Sequence, residues 1–259
     1  IMDAKNIENH IVSWLTSYLK KSGLKGFVIG VSGGVDSAVT STLCAKTGFP
    51  TLVLNMPILQ KANQFDRSND HINWLKKNFN NVSSDEVDLT SVFQSFETLL
   101  PSQVQDHLTM ANLRARIRMS TLYVYASNHN KLVVGTGNKV EDFGVGFYTK
   151  YGDGGVDISP IADLMKTEVF ILAKHFGVIS SIQNAAPTDG LWEDDRSDED
   201  QLGATYEELE WAMNYIQQKG NKLISDRQKN VLEIYQKLNR NNLHKMEPIP
   251  VCVIPNKFK

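Results

Sequence analysis

Apolar residues recur at Ile7, Ile11, Leu15, Tyr18 and Leu19, a spacing that places them on one face of a helix, and Gly23 stands where that helix should end. The period then changes. Phe27-Val28-Ile29-Gly30-Val31 is an unbroken apolar run of strand length, which predicts a strand covered on both faces. The patterning that follows predicts a helix over 38–46, a buried strand over 51–56, a helix over 64–79 and a strand over 85–89. Residues 106–127 read as a long helix, Leu132-Val133-Val134 as a short buried strand, and 165–176, 206–218 and 226–239 as helices. Such alternation of strand and helix predicts an α/β fold, an open parallel sheet with helices on both faces. Residues 143–160, rich in glycine and aromatics, show no period, and 184–203 is a polar, acidic stretch long enough to suggest a lid.

The first strand runs straight into Ser32-Gly33-Gly34-Val35-Asp36-Ser37, where a helix is expected to open near Ser37. Paired glycines let the backbone come close to a ligand, and the helix start adds the positive end of its dipole, so an anion and above all a phosphate fits there. The spacing is neither that of the Gly-Lys-Ser/Thr phosphate loop nor Gly-x-Gly-x-x-Gly. The short strand 132–134 ends at Gly135-Thr136-Gly137-Asn138, and in an open α/β sheet the carboxyl ends of strands share one crevice. Residues 32–37 and 136–141 should therefore face each other.

Composition narrows the classes. The 259-residue chain has a net charge of −2 and 41% hydrophobic residues, so it can bury a full core and offers no basic face for nucleic acid. Its densest charge run, 193–200, is acidic. Two cysteines, Cys44 and Cys252, make neither a disulfide framework nor a zinc motif. No apolar stretch reaches the roughly twenty residues that span a bilayer, and no signal peptide is evident, so a cytoplasmic location is expected.

Ser-Gly-Gly-x-Asp-Ser resembles the pyrophosphate-binding loop of the ATP pyrophosphatases. Further along stand Asn112-Leu113-Arg114-Ala115-Arg116-Ile117-Arg118-Met119, Gly135-Thr136-Gly137-Asn138-Lys139-Val140-Glu141 and Thr149-Lys150-Tyr151-Gly152-Asp153-Gly154-Gly155-Val156-Asp157. With these, the chain resembles the NAD synthetases from its first helix to His244-Lys245. That resemblance implies a Rossmann-like ATP pyrophosphatase fold, one NAD synthetase domain over 1–259 without a fused glutaminase domain, and the amidation of deamido-NAD to NAD. The carboxylate of deamido-NAD would attack the α-phosphate of ATP, pyrophosphate would leave, and ammonia would displace AMP.

The resemblance also implies roles. Gly30, Val31, Ser32, Gly33, Gly34, Val35, Asp36, Ser37, Thr136, Lys166 and Thr188 would contact ATP, with Asp36 and Lys166 the catalytic pair. Asp36 and Glu141 would hold Mg²⁺, a hard cation that takes few protein oxygens beside phosphate oxygens. Asn112, Arg116, Lys150, Asp157, His244 and Lys245 would bind deamido-NAD. From the residues alone, Lys166 fits a solvated helix lysine as well, Glu141 a helix cap, and Asn112 with Arg116 at i, i+4 either one ligand or a surface pair. A homodimer is implied, and Leu108, Ala111, Ala115 and Leu122 fit either its contacts or the core. The rival classes are another ATP pyrophosphatase, acting on a purine nucleotide or tRNA, and a nucleotide-binding module without catalysis.

Overall fold

The computed structural model describes residues 2–60, 62–185, 187, 197–220 and 223–259. Helix α1 (Ala4–Ser22) starts where the Asp3 side chain accepts the Asn6 N–H at 3.0 Å and stops at Gly23, whose φ of 73° suits glycine. Strand β1 (Phe27–Gly30) follows, then α2 (Val35–Lys46), β2 (Thr51–Asn55), α3 (Ala62–Asn78) and β3 (Val82–Glu86). Next come α4 (Thr90–Leu99), α5 (His107–His129) and β4 (Leu132–Val133). All strands are parallel, in the order β3-β2-β1-β4, and a bridge between Val134 and Ile158 prolongs the β4 edge. The chain winds outward from β1 to β3 and then returns to the other side of β1, which opens a crevice at the carboxyl ends of β1 and β4.

Both faces of the sheet are covered, as the apolar runs predict. Phe27 and Ile29 pack with Leu15 and Leu19 of α1, Val39 and Leu43 of α2, and Val169 and Leu172 of α6 (Lys166–Phe176). Val28, Leu52, Leu54 and Val133 point the other way, against Phe93 of α4 and Met110 and Ile117 of α5. Each such buried side chain contributes roughly 1.5–3 kcal/mol. After α7 (Ser180–Gln183), helices α8 (Asp198–Leu202), α9 (Tyr206–Gln217) and α10 (Asp226–Met246) build a separate apolar cluster with the π-helical turn Val140–Val145. This cluster caps the crevice side of the sheet and carries Tyr206 and Lys245 toward it.

Most boundaries shift by a residue or two, and three differences matter for the sheet and the cleft. The third strand is Val82–Glu86 rather than 85–89, because pairing with β2 fixes its register from Thr51↔Val82 to Asn55↔Glu86. It is a polar, half-exposed edge strand with no apolar run to announce it, and Leu89 instead enters the core beside Phe93. Helix α2 opens at Val35, not near Ser37, which puts Asp36 and Ser37 in its first turn. Helix α10 runs on to Met246, so His244 and Lys245 are helical. Helix α4 carries no expectation from patterning. The proposed lid at 184–203 falls partly outside the described residues; its end is α8. Among the described residues no helix is long and apolar enough to cross a membrane.

Candidate active site

The glycine loop is braced from within. The Ser32 N–H donates to Ser37 Oγ at 3.2 Å, the Gly34 N–H to Ser32 Oγ at 3.2 Å, and the Ser37 hydroxyl to the Gly34 carbonyl at 3.1 Å. Gly33 sits at φ +81°, and a Cβ there would stand 2.9 Å from the Gln64 carbonyl oxygen of α3. Glycine is thus required twice over, by the left-handed backbone and by the approach of α3.

Beside the loop lies a cleft of about 980 Å³, of a size that holds a nucleotide. One end is lined by residues 30–37, Thr136, Glu141 and Lys166; the other includes Asn112, Tyr148, Asp153 and Lys245. At the loop end Lys166, only 4% exposed, donates from Nζ to Asp36 Oδ2 at 2.5 Å and to Glu141 Oε1 at 3.1 Å. Burial alone would lower the ammonium, but Asp36 and Glu141 outweigh it and hold the lysine above its ordinary range. Asp36 is pushed up by burial, which together with Glu141 overcomes the pull of Lys166. Two carboxylates thus share one cation, and the site carries surplus negative charge.

Residues that patterning did not single out complete the cluster. Asn138 donates to Asp36 Oδ1 at 3.3 Å while its own Oδ1 accepts the Glu141 N–H at 3.2 Å, so a fully buried amide ties the two acids together. The Tyr206 hydroxyl donates to Glu141 Oε1 at 2.6 Å, and its ring lies 4.7 Å under Lys166 Nζ. Burial and the nearby Glu141 and Asp198 raise the Tyr206 phenol, which keeps it a neutral donor. Asp142 is pushed up to about 8 by burial and by Glu141, Asp153 and Asp36. Asn138 lies in the turn already marked at 135–138, whereas nothing local distinguishes Tyr206.

The residues assigned to the dinucleotide divide. Asn112 and Lys245 line the cleft, and Arg116, Lys150, Asp157 and His244 do not. Asn112 Oδ1 accepts from Thr149 Oγ1 at 2.6 Å, and Arg116 Nε and Nη2 each donate to the Lys150 carbonyl at 3.3 Å. The i, i+4 pair therefore addresses one protein segment, 149–150. Lys150 Nζ in turn donates to the His244 carbonyl at 2.5 Å, and Lys245 Nζ to the carbonyls of Gly146 and Tyr148 at 2.9 and 2.8 Å. Asp157 is held by the Val133 N–H at 2.8 Å and the Tyr123 hydroxyl at 3.0 Å. Leu108, Ala111, Ala115 and Leu122 all line the cleft. Thr188 lies outside the described residues.

A doubly wound sheet with a glycine loop after β1 and a lysine between two acids at its crevice defines a nucleotide-binding α/β protein. Comparison with known proteins narrows this. The sequence matches the NAD synthase family profile over residues 7–248, and the chain belongs to that family. It is 41% identical to the NH(3)-dependent NAD(+) synthetase of Mycoplasma genitalium over 87% of this chain and 88% of that one. Among solved structures it is similar to the NMN synthetase of Francisella tularensis, with a TM-score of 0.85 and 31% identity over 99% and 100% of the two chains. The NH3-dependent NAD synthetase of Campylobacter jejuni, determined with a nitrate ion, shares the fold at a TM-score of 0.80, with 23% identity over 98% and 100%.

Proposed function

We propose that this protein is an ammonia-dependent ligase that converts deamido-NAD to NAD with ATP, releasing AMP and pyrophosphate. Family membership supports the reaction, and the Lys166 ammonium held between Asp36 and Glu141 beside the glycine loop is the structural observation that carries it.

A carboxylate does not accept ammonia at neutral pH. Its oxygen first bonds to the α-phosphorus of ATP, the bond from that phosphorus to the bridging oxygen breaks, and pyrophosphate departs with the electron pair. Ammonia then attacks the carbonyl carbon of the acyl adenylate, AMP leaves, and nitrogen loses a proton. The first step brings anion to anion and so depends on preorganised positive charge rather than on a protein nucleophile. Lys166 supplies that charge, aimed by Asp36 and Glu141, and the first N–H groups of α2, from Val35 to Ser37, receive the phosphates. Thr136 and Thr188 are the further ATP contacts in this reading.

The donor set suits Mg²⁺: Asp36 and Glu141 are hard oxygen ligands that hold more negative charge than Lys166 balances. Bound there, the ion would neutralise charge on ATP and on the departing pyrophosphate. Deamido-NAD lies toward Asn112 and Lys245, and in a homodimer Arg116, Lys150, Asp157 and His244, which lie outside the cleft lining, complete its site. The described residues work as one catalytic unit.

The test is product analysis of the purified protein with ATP, Mg²⁺, deamido-NAD and ammonium. NAD, AMP and pyrophosphate in equal amounts are expected, with far less NAD when glutamine replaces ammonium; no NAD from either nitrogen source sinks the proposal. Similarity to the Francisella NMN synthetase favours a second reading, in which the mononucleotide acid is the acceptor. A parallel reaction with nicotinate mononucleotide decides between them by the ratio of kcat/KM values.

A further inference from the structure

The cations that line the cleft are mostly committed. Lys166 is taken by Asp36 and Glu141, Lys245 by two backbone carbonyls, and Arg118 donates from Nε to the Met56 carbonyl at 2.9 Å. The Arg114 guanidinium lies over the Phe93 ring, 4.7 Å from its centroid. Arg67 of α3 differs. It lines the cleft, its Nε is buried without a hydrogen-bond partner, and among the described residues no carboxylate forms an ion pair with it.

Its place in the fold is fixed by its neighbours. Gln64 and Ser68, three residues before and one after, bring α3 against Gly33: a Cβ on that glycine would lie 2.9 Å from Gln64 O and 3.1 Å from Ser68 Oγ. Ser68 is fully buried and Gln64 nearly so, with Ser68 Oγ donating to Gln64 O at 3.1 Å. Residues three apart share a helix face, so Arg67 projects from the edge of α3 that leans on the glycine loop. A guanidinium left with an unpaired, buried N–H costs stability unless a ligand satisfies it, and its planar fork matches phosphate oxygens. Asp36, Glu141 and Asp142 also line the cleft, so a triphosphate entering it gains from a further positive group beside the glycine loop.

We propose that Arg67 is a phosphate-binding residue of this cleft, gripping the pyrophosphate portion of ATP as it is bound and as it departs. This rests on the reading of the loop as an ATP site, and the experiment separates the two. ATP and inorganic pyrophosphate binding by calorimetry, and steady-state kinetics with each substrate varied, are to be measured for the wild type, Arg67→Met and Arg67→Lys. Arg67→Met should raise the half-saturating ATP and the pyrophosphate dissociation constant about tenfold or more, since hydrogen bonds to charged groups contribute on that scale. The half-saturating acceptor and ammonium should stay within about twofold of the wild type, as expected for groups with no shared contact. Arg67→Lys should recover part of the loss. Unchanged ATP and pyrophosphate binding in Arg67→Met overturns the proposal, and so does a fall in Tm that weakens all three substrates equally without recovery by lysine. If the wild type itself binds neither ATP nor pyrophosphate, the reading of the loop fails instead.

Discussion

Two buried ion clusters sit on this sheet, and they are balanced in opposite senses. Between α1, α2 and α6, one carboxylate meets two lysines and a histidine: Glu8 accepts from Lys5 at 3.2 Å and Lys46 at 3.0 Å and pairs with His175 Nε2 at 2.8 Å. Burial would raise that acid, but the hydrogen bonds from His175, Lys46 and Lys5 outweigh it and bring it down to about 2. In the cleft the ratio is inverted, with Asp36 and Glu141 sharing Lys166 and the Asp36 carboxyl driven upward. Saturated charge on helices serves the fold. Unsaturated charge at strand ends is a place for a ligand, because a cation or a phosphate-bound metal still has something to gain there.

The sharpest way to break this contrast is to remove the shared cation. Lys166→Met should lower turnover by at least about a hundredfold, the scale of losing one preorganised electrostatic group. It should also destabilise the fold by roughly 3–5 kcal/mol, because the two acids are left uncompensated. Retention of wild-type turnover would remove Lys166 from the chemistry. Asp36→Asn should abolish AMP formation to a similar extent while Tm holds or rises, since it relieves the crowded acids; a large drop in Tm would show that Asp36 is a structural anchor.

Glu8→Gln should do the reverse. A loss of about 1–2 kcal/mol at neutral pH is expected from weakening charged hydrogen bonds, with turnover within about twofold. The sign with pH follows from a folded value of about 2 against 4.5 for the free acid: the contribution is present above 4.5 and fades as pH falls toward 2. Acid titrations of Tm should therefore show the wild type and Glu8→Gln converging near pH 2, and parallel curves would contradict the account. Arg116→Ala gives the smallest structural effect, within about 0.5 kcal/mol, because that side chain is exposed. It should raise the half-saturating deamido-NAD and leave that of ATP alone, and an unchanged value for the dinucleotide would displace Arg116 from the acceptor site.

Much of the loop end was legible before folding. Ser32-Gly33-Gly34-Val35-Asp36-Ser37 follows an apolar run and leads into a helix, and local backbone rules alone mark it as a candidate anion site. Glu141 and Thr136 follow from the rule that strand ends share a crevice, and the cleft does bring them together. Legibility failed where partners come from distant segments. Tyr206 lies 65 positions from the Glu141 it contacts, and Arg67 shows no local sign of facing the loop. The β3 edge strand was misplaced because its register comes from β2 and not from its own polar residues.

The sequence by itself determined the order and kind of the main elements, the glycine loop and the acids at the strand ends, because these depend on periodicity and on φ/ψ preferences that act over a few residues. Only the tertiary structure decided which charges are saturated. One lysine from α6 must reach the first turn of α2 and the turn Val140–Val145 at once, as its 2.5 and 3.1 Å contacts with Asp36 and Glu141 show, while two lysines and a histidine from three helices converge on Glu8. Charge balance is a sum over neighbours in space, and neighbours 130 residues apart in the chain, as Asp36 and Lys166 are, exist only once the sheet has closed.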